Sequence, residues 1–199
     1  KIPTEKYLTE RVDFATFSGH KFHGVRGVGF VYIKSGKKIT PLLTGGGQER
    51  DYRSTTENVA GIAATAKALR LSMEKLDIFT SKTGQMKAVI RQALLDYPDI
   101  FVFSDEEDFA PHILTFGIKG VRGEVIVHAF EDYDIFISTT SACSSKAGKP
   151  AGTLIAMGVD KDKAQSAVRL SLDLENDMSQ VEQFLTKLKL IYNQTRKVR

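Results

Sequence analysis

Val12-Asp13-Phe14-Ala15-Thr16-Phe17 is a mostly apolar run that ends at the polar cluster Ser18-Gly19-His20-Lys21, a pattern that predicts a buried strand running into a polar turn. Gly24, Gly27 and Gly29 punctuate the next stretch, and Val28-Gly29-Phe30-Val31-Tyr32-Ile33 has the β-branched and aromatic content of a second strand. Two strands are thus expected to flank a tight glycine-rich loop. Leu42 to Arg50 contains Gly45-Gly46-Gly47, which disfavours helix and strand and allows close backbone approach to a ligand. From Asn58, a capping residue, the apolar positions Ala60, Ile62, Ala63, Ala66, Leu69 and Met73 recur at helical spacing and predict a long amphipathic or buried helix. Thr80-Ser81-Lys82-Thr83-Gly84 is expected to interrupt or bend it, after which Met86, Val89, Ile90, Ala93 and Leu94 resume the period as far as Pro98.

Beyond Pro98, strands are expected near 100–103, 112–117, 135–138 and 167–172, alternating with helices near 121–130, 151–164 and 177–195. That alternation reads as a small α/β layer whose strand order the pattern leaves open. There is no internal repeat and no low-complexity tract. Hydrophobic residues make up 42% of the 199 positions, enough for a packed core, so disorder is not the expectation. No run approaches the roughly 18 apolar residues that would span a bilayer, and Lys1 to Lys6 lacks a signal-peptide core, so a soluble cytoplasmic chain with no membrane partner is expected.

The single cysteine, Cys143, excludes an internal disulfide and a cysteine-rich zinc site. His20 and His23 imply no third ligand, and His112 and His128 lie in apolar stretches that suggest packed, hydrogen-bonded rings, so no metal is expected. The net charge of +4 has one local excess in Lys187, Lys189, Arg196, Lys197 and Arg199. No aromatic residues interleave with it, so a solvated helix face able to attract an acidic partner is a better reading than nucleic-acid binding.

Ser18, His20 and Lys21 place a hydroxyl, an imidazole and an amine within one turn. Such a set suits an aldehyde that bears a phosphate, the amine bonding to the carbonyl carbon while hydroxyl and backbone N–H groups hold the anion; a solvated lysine beside a turn is the plain alternative. Cys143 lies in the polar run Ser138-Thr139-Thr140-Ser141-Ala142-Cys143-Ser144-Ser145-Lys146, whose hydroxyls argue against burial and whose Lys146 favours the thiolate; an isolated cysteine that is a small buried hydrophobe is the plain alternative. Arg169 is one cation in the apolar run Val168 to Leu172 and needs an anion, either in a structural salt bridge or in a ligand.

The run Ser18-Gly19-His20-Lys21-Phe22-His23-Gly24-Val25-Arg26-Gly27-Val28-Gly29 resembles the cofactor-lysine segment of the class V aminotransferase family, and its cysteine desulfurases in particular. The resemblance implies that Lys21 forms the Schiff base with pyridoxal 5'-phosphate while Ser18 and His20 hold its phosphate. Val25 stands where the family usually has proline, a difference of loop stiffness more than of chemistry. Gly45 to Arg50 with Arg53-Ser54-Thr55-Thr56 is similar to the family's glycine-rich loop, in which the residue matching Thr56 reaches the cofactor phosphate of the other subunit. Thr55 replaces a glycine, so the turn there is either different or strained. The Cys143 run resembles the persulfide-bearing loop of the subgroup in which that loop is long and flexible. The arginine matching Arg169 forks onto the substrate carboxylate.

The resemblance implies the C-terminal part of a pyridoxal-phosphate-dependent transferase, with residues 1–80 as the remainder of the large domain and 81–199 as a small α/β domain carrying the cysteine loop. The implied activity is removal of sulfur from L-cysteine to give L-alanine and a persulfide on Cys143, for iron–sulfur cluster or thio-cofactor synthesis. Its implied partners are a sulfur-acceptor protein and, in the intact enzyme, a second copy in a homodimer. The family's earlier segment, with its aspartate for the pyridine nitrogen and its ring-stacking histidine, has no counterpart here. That makes the chain a shortened polypeptide, a proteolytic fragment or one piece of a split enzyme, expected to hold the cofactor weakly when isolated. A selenocysteine lyase, a noncatalytic sulfur-relay module and a generic phosphate-binding domain are the competing readings.

Overall fold

A computed structural model describes residues 8–104, 109–139 and 152–197 of the chain. They belong to two units, Lys1–Asp77 and Ile78–Arg199. In the first, β1 (Phe14–Ser18) pairs antiparallel with β2 (Gly29–Ile33), and a 3-10 turn, Gly19–Phe22, leaves the end of β1. The register sets Phe17 opposite Phe30, with ring centroids 4.7 Å apart, and Ser18 opposite Gly29. The expected burial of the first strand is not found: β1 alternates between exposed and half-buried residues, because β2 is its one strand partner among the described residues.

Helix α1 (Val59–Glu74) begins where predicted, with the Asn58 side chain accepting from the Gly61 N–H at 3.0 Å. Its orientation reverses the expectation. Ala60, Ile62, Ala63, Ala66, Leu69 and Met73 all lie outside the buried set of this helix, which is Gly61, Thr65 and Ala68. Close packing explains this: a Cβ on Gly61 would stand 2.5 Å from the Val28 side chain at Cγ2, so no larger residue fits at that point of the packed face.

α2 (Leu76–Leu95) runs unbroken through Thr80 to Gly84, and the break falls instead at Lys75. The Thr83 hydroxyl donates to the Phe79 carbonyl at 2.6 Å, which satisfies that buried polar group inside the helix. The second unit then adds β3 (Ile100–Val102), β4 (Ile113–Ile118), α3 (Gly123–Glu131), β5 (Ser138–Thr139), α4 (Gly152–Ala156), α5 (Lys161–Gln165), β6 (Val168–Ser171) and α6 (Met178–Lys197). Its sheet is antiparallel in the order β3-β4-β6-β5. The single helix expected over 151–164 is split, because Gly158 takes a left-handed φ of 81° and Asp160 starts a new helix by accepting from Asp162 N and Lys163 N.

Leu114, Phe116, Val168 and Leu170 line one face of that sheet and pack with Met86, Ile90 and Leu94 of α2, Ile126 and Phe130 of α3, and Phe184, Leu188 and Ile191 of α6. The α6 N-terminus carries a reciprocal cap: Asp177 accepts from Gln180 N at 3.0 Å, while Asp177 N donates to Gln180 Oε1 at 3.2 Å. No described helix is long and apolar enough to cross a membrane, and no described cluster of His, Cys, Asp or Glu could hold a metal ion.

Phe130 is fully buried and stacks on Phe184 with centroids 5.0 Å apart. Phe130→Ala should therefore cost about 3–5 kcal/mol in urea unfolding, whereas Val125→Ala on the exposed side of the same helix should cost about 0.5 kcal/mol or less. The hydrogen bond from the Ser179 hydroxyl, then that from Gln180 N–H, holds the Asp177 carboxyl below its usual range. A depressed folded value makes this contribution present at neutral pH and lost as the pH falls through it. Acid unfolding curves of an Asp177→Asn variant should lack that component, and unchanged pH dependence would refute the assignment.

Candidate functional site

The lysine turn is built by its backbone. Gly19 N–H donates to the Val28 carbonyl at 2.9 Å, and Gly24 N–H closes the turn on the Gly19 carbonyl at 2.9 Å. Gly29 makes the close strand approach possible, since a Cβ there would lie 2.2 Å from the Phe17 carbonyl oxygen. Ser18 occupies the cap position in extended conformation with no side-chain cap bond, and His23 ends the turn at a left-handed φ of 67°. Phe22 is the one buried side chain of the turn and meets Phe30 edge-on, with centroids 6.3 Å apart.

Ser18, His20 and Lys21 are all exposed. Among the described residues the Lys21 amine has no hydrogen-bond or ion-pair partner, and the Ser18 hydroxyl likewise has none. An amine, a hydroxyl and an imidazole without competing partners fit an aldehyde-phosphate cofactor, because binding would break no existing contact.

In the glycine-rich loop the strain is displaced from the residue where it was expected. Thr55 does not have a positive φ, whereas Glu49, Arg50 and Asp51 take φ values of 52°, 57° and 67°. The turn therefore differs from the glycine-dependent one implied for that position, and three consecutive left-handed residues without glycine are costly, of order 1–2 kcal/mol each. Arg50 and Arg53 line a cavity of about 1050 Å³ together with Phe17, Phe30, Ile62 and Thr65. Lys21 is not among its lining residues, and neither is Thr56, which is exposed in the same loop.

Arg169 belongs to the second unit. Strand alternation turns Val168 and Leu170 to the core and Arg169 to the opposite sheet face, where its cross-strand neighbours are Thr115 and Ser138. Its Nε is buried with no hydrogen-bond partner among the described residues. An unsatisfied N–H of that kind costs about 1–3 kcal/mol and is a hydrogen-bond donor that an anion would satisfy. Cys143 and Lys146 lie outside the described residues; β5, whose Ser138 pairs with Arg169, is the last described element before them.

His128 departs from the packed ring expected of it: its side chain is 77% exposed and its Nδ1 lies 2.7 Å from Glu131. The apolar side of α3 is formed by Ile126 and Phe130 instead. His112 does pack, with its ring centroid 5.1 Å from that of Phe79. Two residues of α1 escaped sequence reasoning. Thr65 is 5% exposed and its hydroxyl has no partner among the described residues, and the Ser72 hydroxyl donates to the Phe22 carbonyl at 3.2 Å. The available signal was the row Gly61, Thr65, Ala68, Ser72, spaced four, three and four apart as one helix face.

Residues 8–184 match the family model described as Aminotransferase class-V. The chain is 46% identical over 98% of its length to a NifS/IcsS protein homolog of Lactobacillus delbrueckii subsp. bulgaricus, covering 51% of that protein. It is 35% identical over 94% of its length to a cysteine desulfurase IscS of Clostridium botulinum, covering 48% of it. A solved NifS-like protein superposes with a TM-score of 0.78 at 34% identity, over 94% of this chain and 47% of the other. A second, from Rickettsia africae, gives 0.79 at 28% identity, over 92% and 48%. The chain thus spans about half the length of these relatives.

If Arg169 is held for a ligand and not for the fold, its removal will not weaken the unliganded chain. Arg169→Met should leave the urea midpoint unchanged or raise it, since the buried unpaired N–H is lost. A loss above about 1 kcal/mol would show a structural role instead.

Proposed function

Because the chain belongs to the class-V aminotransferase family, we propose that it is the C-terminal part of a pyridoxal 5'-phosphate-dependent cysteine desulfurase. Residues 1–80 complete the large cofactor-binding domain, and 81–199 form the small domain that carries Cys143. The observation that carries this reading is the lysine turn, where Ser18, His20 and Lys21 meet with the amine free of protein partners among the described residues. The names of the relatives and the unpartnered Arg169 Nε support it.

In this reading Lys21 would hold the cofactor through its aldehyde, and its amine would move a proton at the α-carbon of L-cysteine. Ser18 and His20 hold the cofactor phosphate, and Thr56 reaches the cofactor phosphate of the other subunit in a homodimer. The cofactor, when bound, supplies an electron sink for the substrate α-carbon. Arg169 receives the substrate carboxylate in a two-pronged hydrogen bond. The Cys143 thiolate attacks the substrate sulfur; an S–S bond forms, the C–S bond breaks with its electron pair staying on the carbon side, and protonation there gives L-alanine. The persulfide passes to a sulfur-acceptor protein for iron–sulfur cluster or thio-cofactor synthesis, in the cytoplasm.

The full-length protein, loaded with pyridoxal 5'-phosphate and mixed with L-cysteine, should form alanine and protein-bound persulfide in equal amounts during the first turnover. Cys143→Ser should abolish both. Sulfide release at the wild-type rate from that variant would overturn the assignment of Cys143.

A further inference from the structure

Lys21 is placed entirely through its backbone: its own side chain is exposed and has no polar partner among the described residues. The small-residue face of α1 holds that backbone. Gly61 lies against the side chain of Val28, the residue before β2, whose carbonyl accepts from the Gly19 N–H. One turn on, Thr65 closes against Gly19, where an added Cβ would come 2.9 Å from the threonine Oγ1 and 3.2 Å from its methyl carbon. Ala68 is buried on the same face, and Ser72 donates from its hydroxyl to the carbonyl of Phe22, the residue after Lys21.

We propose that α1 is the positioning element of the lysine turn, with Ser72 fixing its far end through the Phe22 carbonyl and Thr65 fixing its near end through Gly19. The inference rests on Lys21 being the cofactor lysine. Neither residue touches the reacting atoms. Their effect is on where the amine stands, and a displacement of about 1 Å at a reacting group can cost as much as a hundredfold in rate. Ser72 is the sharper handle, because a single hydroxyl bonds a single carbonyl across 50 residues of sequence.

The test uses the full-length protein loaded with pyridoxal 5'-phosphate, comparing Ser72→Ala, Ser72→Thr and, as a control on the same helix, Leu71→Ala. Borohydride reduction and peptide mass mapping identify the lysine that carries the cofactor, and the visible absorbance of the bound cofactor is titrated against pH. Moving the amine strains its bond to the cofactor and changes the proton affinity of its nitrogen. Ser72→Ala should keep the label on Lys21, shift the titration midpoint by about 0.5 pH unit or more, and lower kcat by up to about tenfold with KM little changed. Ser72→Thr should restore the wild-type midpoint, and Leu71→Ala should leave it unmoved. Label on Lys21 with a wild-type midpoint in Ser72→Ala would overturn the positioning role alone, as would an equal shift in Leu71→Ala. Label absent from Lys21 in the unmutated protein would overturn the functional reading and this inference with it.

Discussion

The candidate chemistry of the first unit depends on one close backbone approach, that of β1 and β2 at Phe17 and Gly29. No side chain fits between the Gly29 Cα and the Phe17 carbonyl, so the register that sets Ser18 opposite Gly29 requires glycine there. That register carries Gly19 to the Val28 carbonyl and starts the 3-10 turn at the residue where a hydroxyl, an imidazole and an amine come in quick succession. The three polar groups have no partner among the described residues, because the turn is satisfied by backbone bonds and by the buried Phe22 ring. A lysine held by its own side-chain contacts would have to surrender them before bonding to a ligand; this one would not.

The second unit solves a related problem with different means. Its sheet divides Val168 and Leu170 from Arg169 by alternation alone, so the same short strand serves the core and presents a cation on the reverse face. The dense packing of Leu114, Phe116, Phe130 and Phe184 behind it supplies the stability that tolerates an unsatisfied buried N–H. The edge strand that leads toward Cys143 is paired with β6 at this arginine.

The sequence made some of this legible and disguised the rest. The polar turn after an apolar run, the capping Asn58 and the long helix after it were readable because each rests on local spacing. The buried face of α1 was not, because Ile62, Leu69 and Met73 form the stronger apolar period and yet stand exposed, while Gly61 meets the Val28 side chain and Thr65 and Ser72 meet the lysine turn, neighbours that only the tertiary fold brings near. Left-handed strain was expected at Thr55 from the missing glycine, and it lies at Glu49 to Asp51, since a loop can redistribute its turns without changing its ends. His128 sits among apolar neighbours in sequence but on the solvent side of α3, a distinction of helical phase and not of composition.

Membership in the class-V aminotransferase family and the free groups of the lysine turn converge on a single prediction about bond formation. The most direct measurement is a crystal structure of the full-length protein with pyridoxal 5'-phosphate and an unreactive L-cysteine analogue. The account predicts density continuous from the Lys21 amine to the cofactor in the crystal without the analogue, and the Arg169 guanidinium on the analogue's carboxylate in the crystal with it. Cofactor joined to a different lysine, or Arg169 engaged by a protein carboxylate while the analogue binds elsewhere, would contradict it.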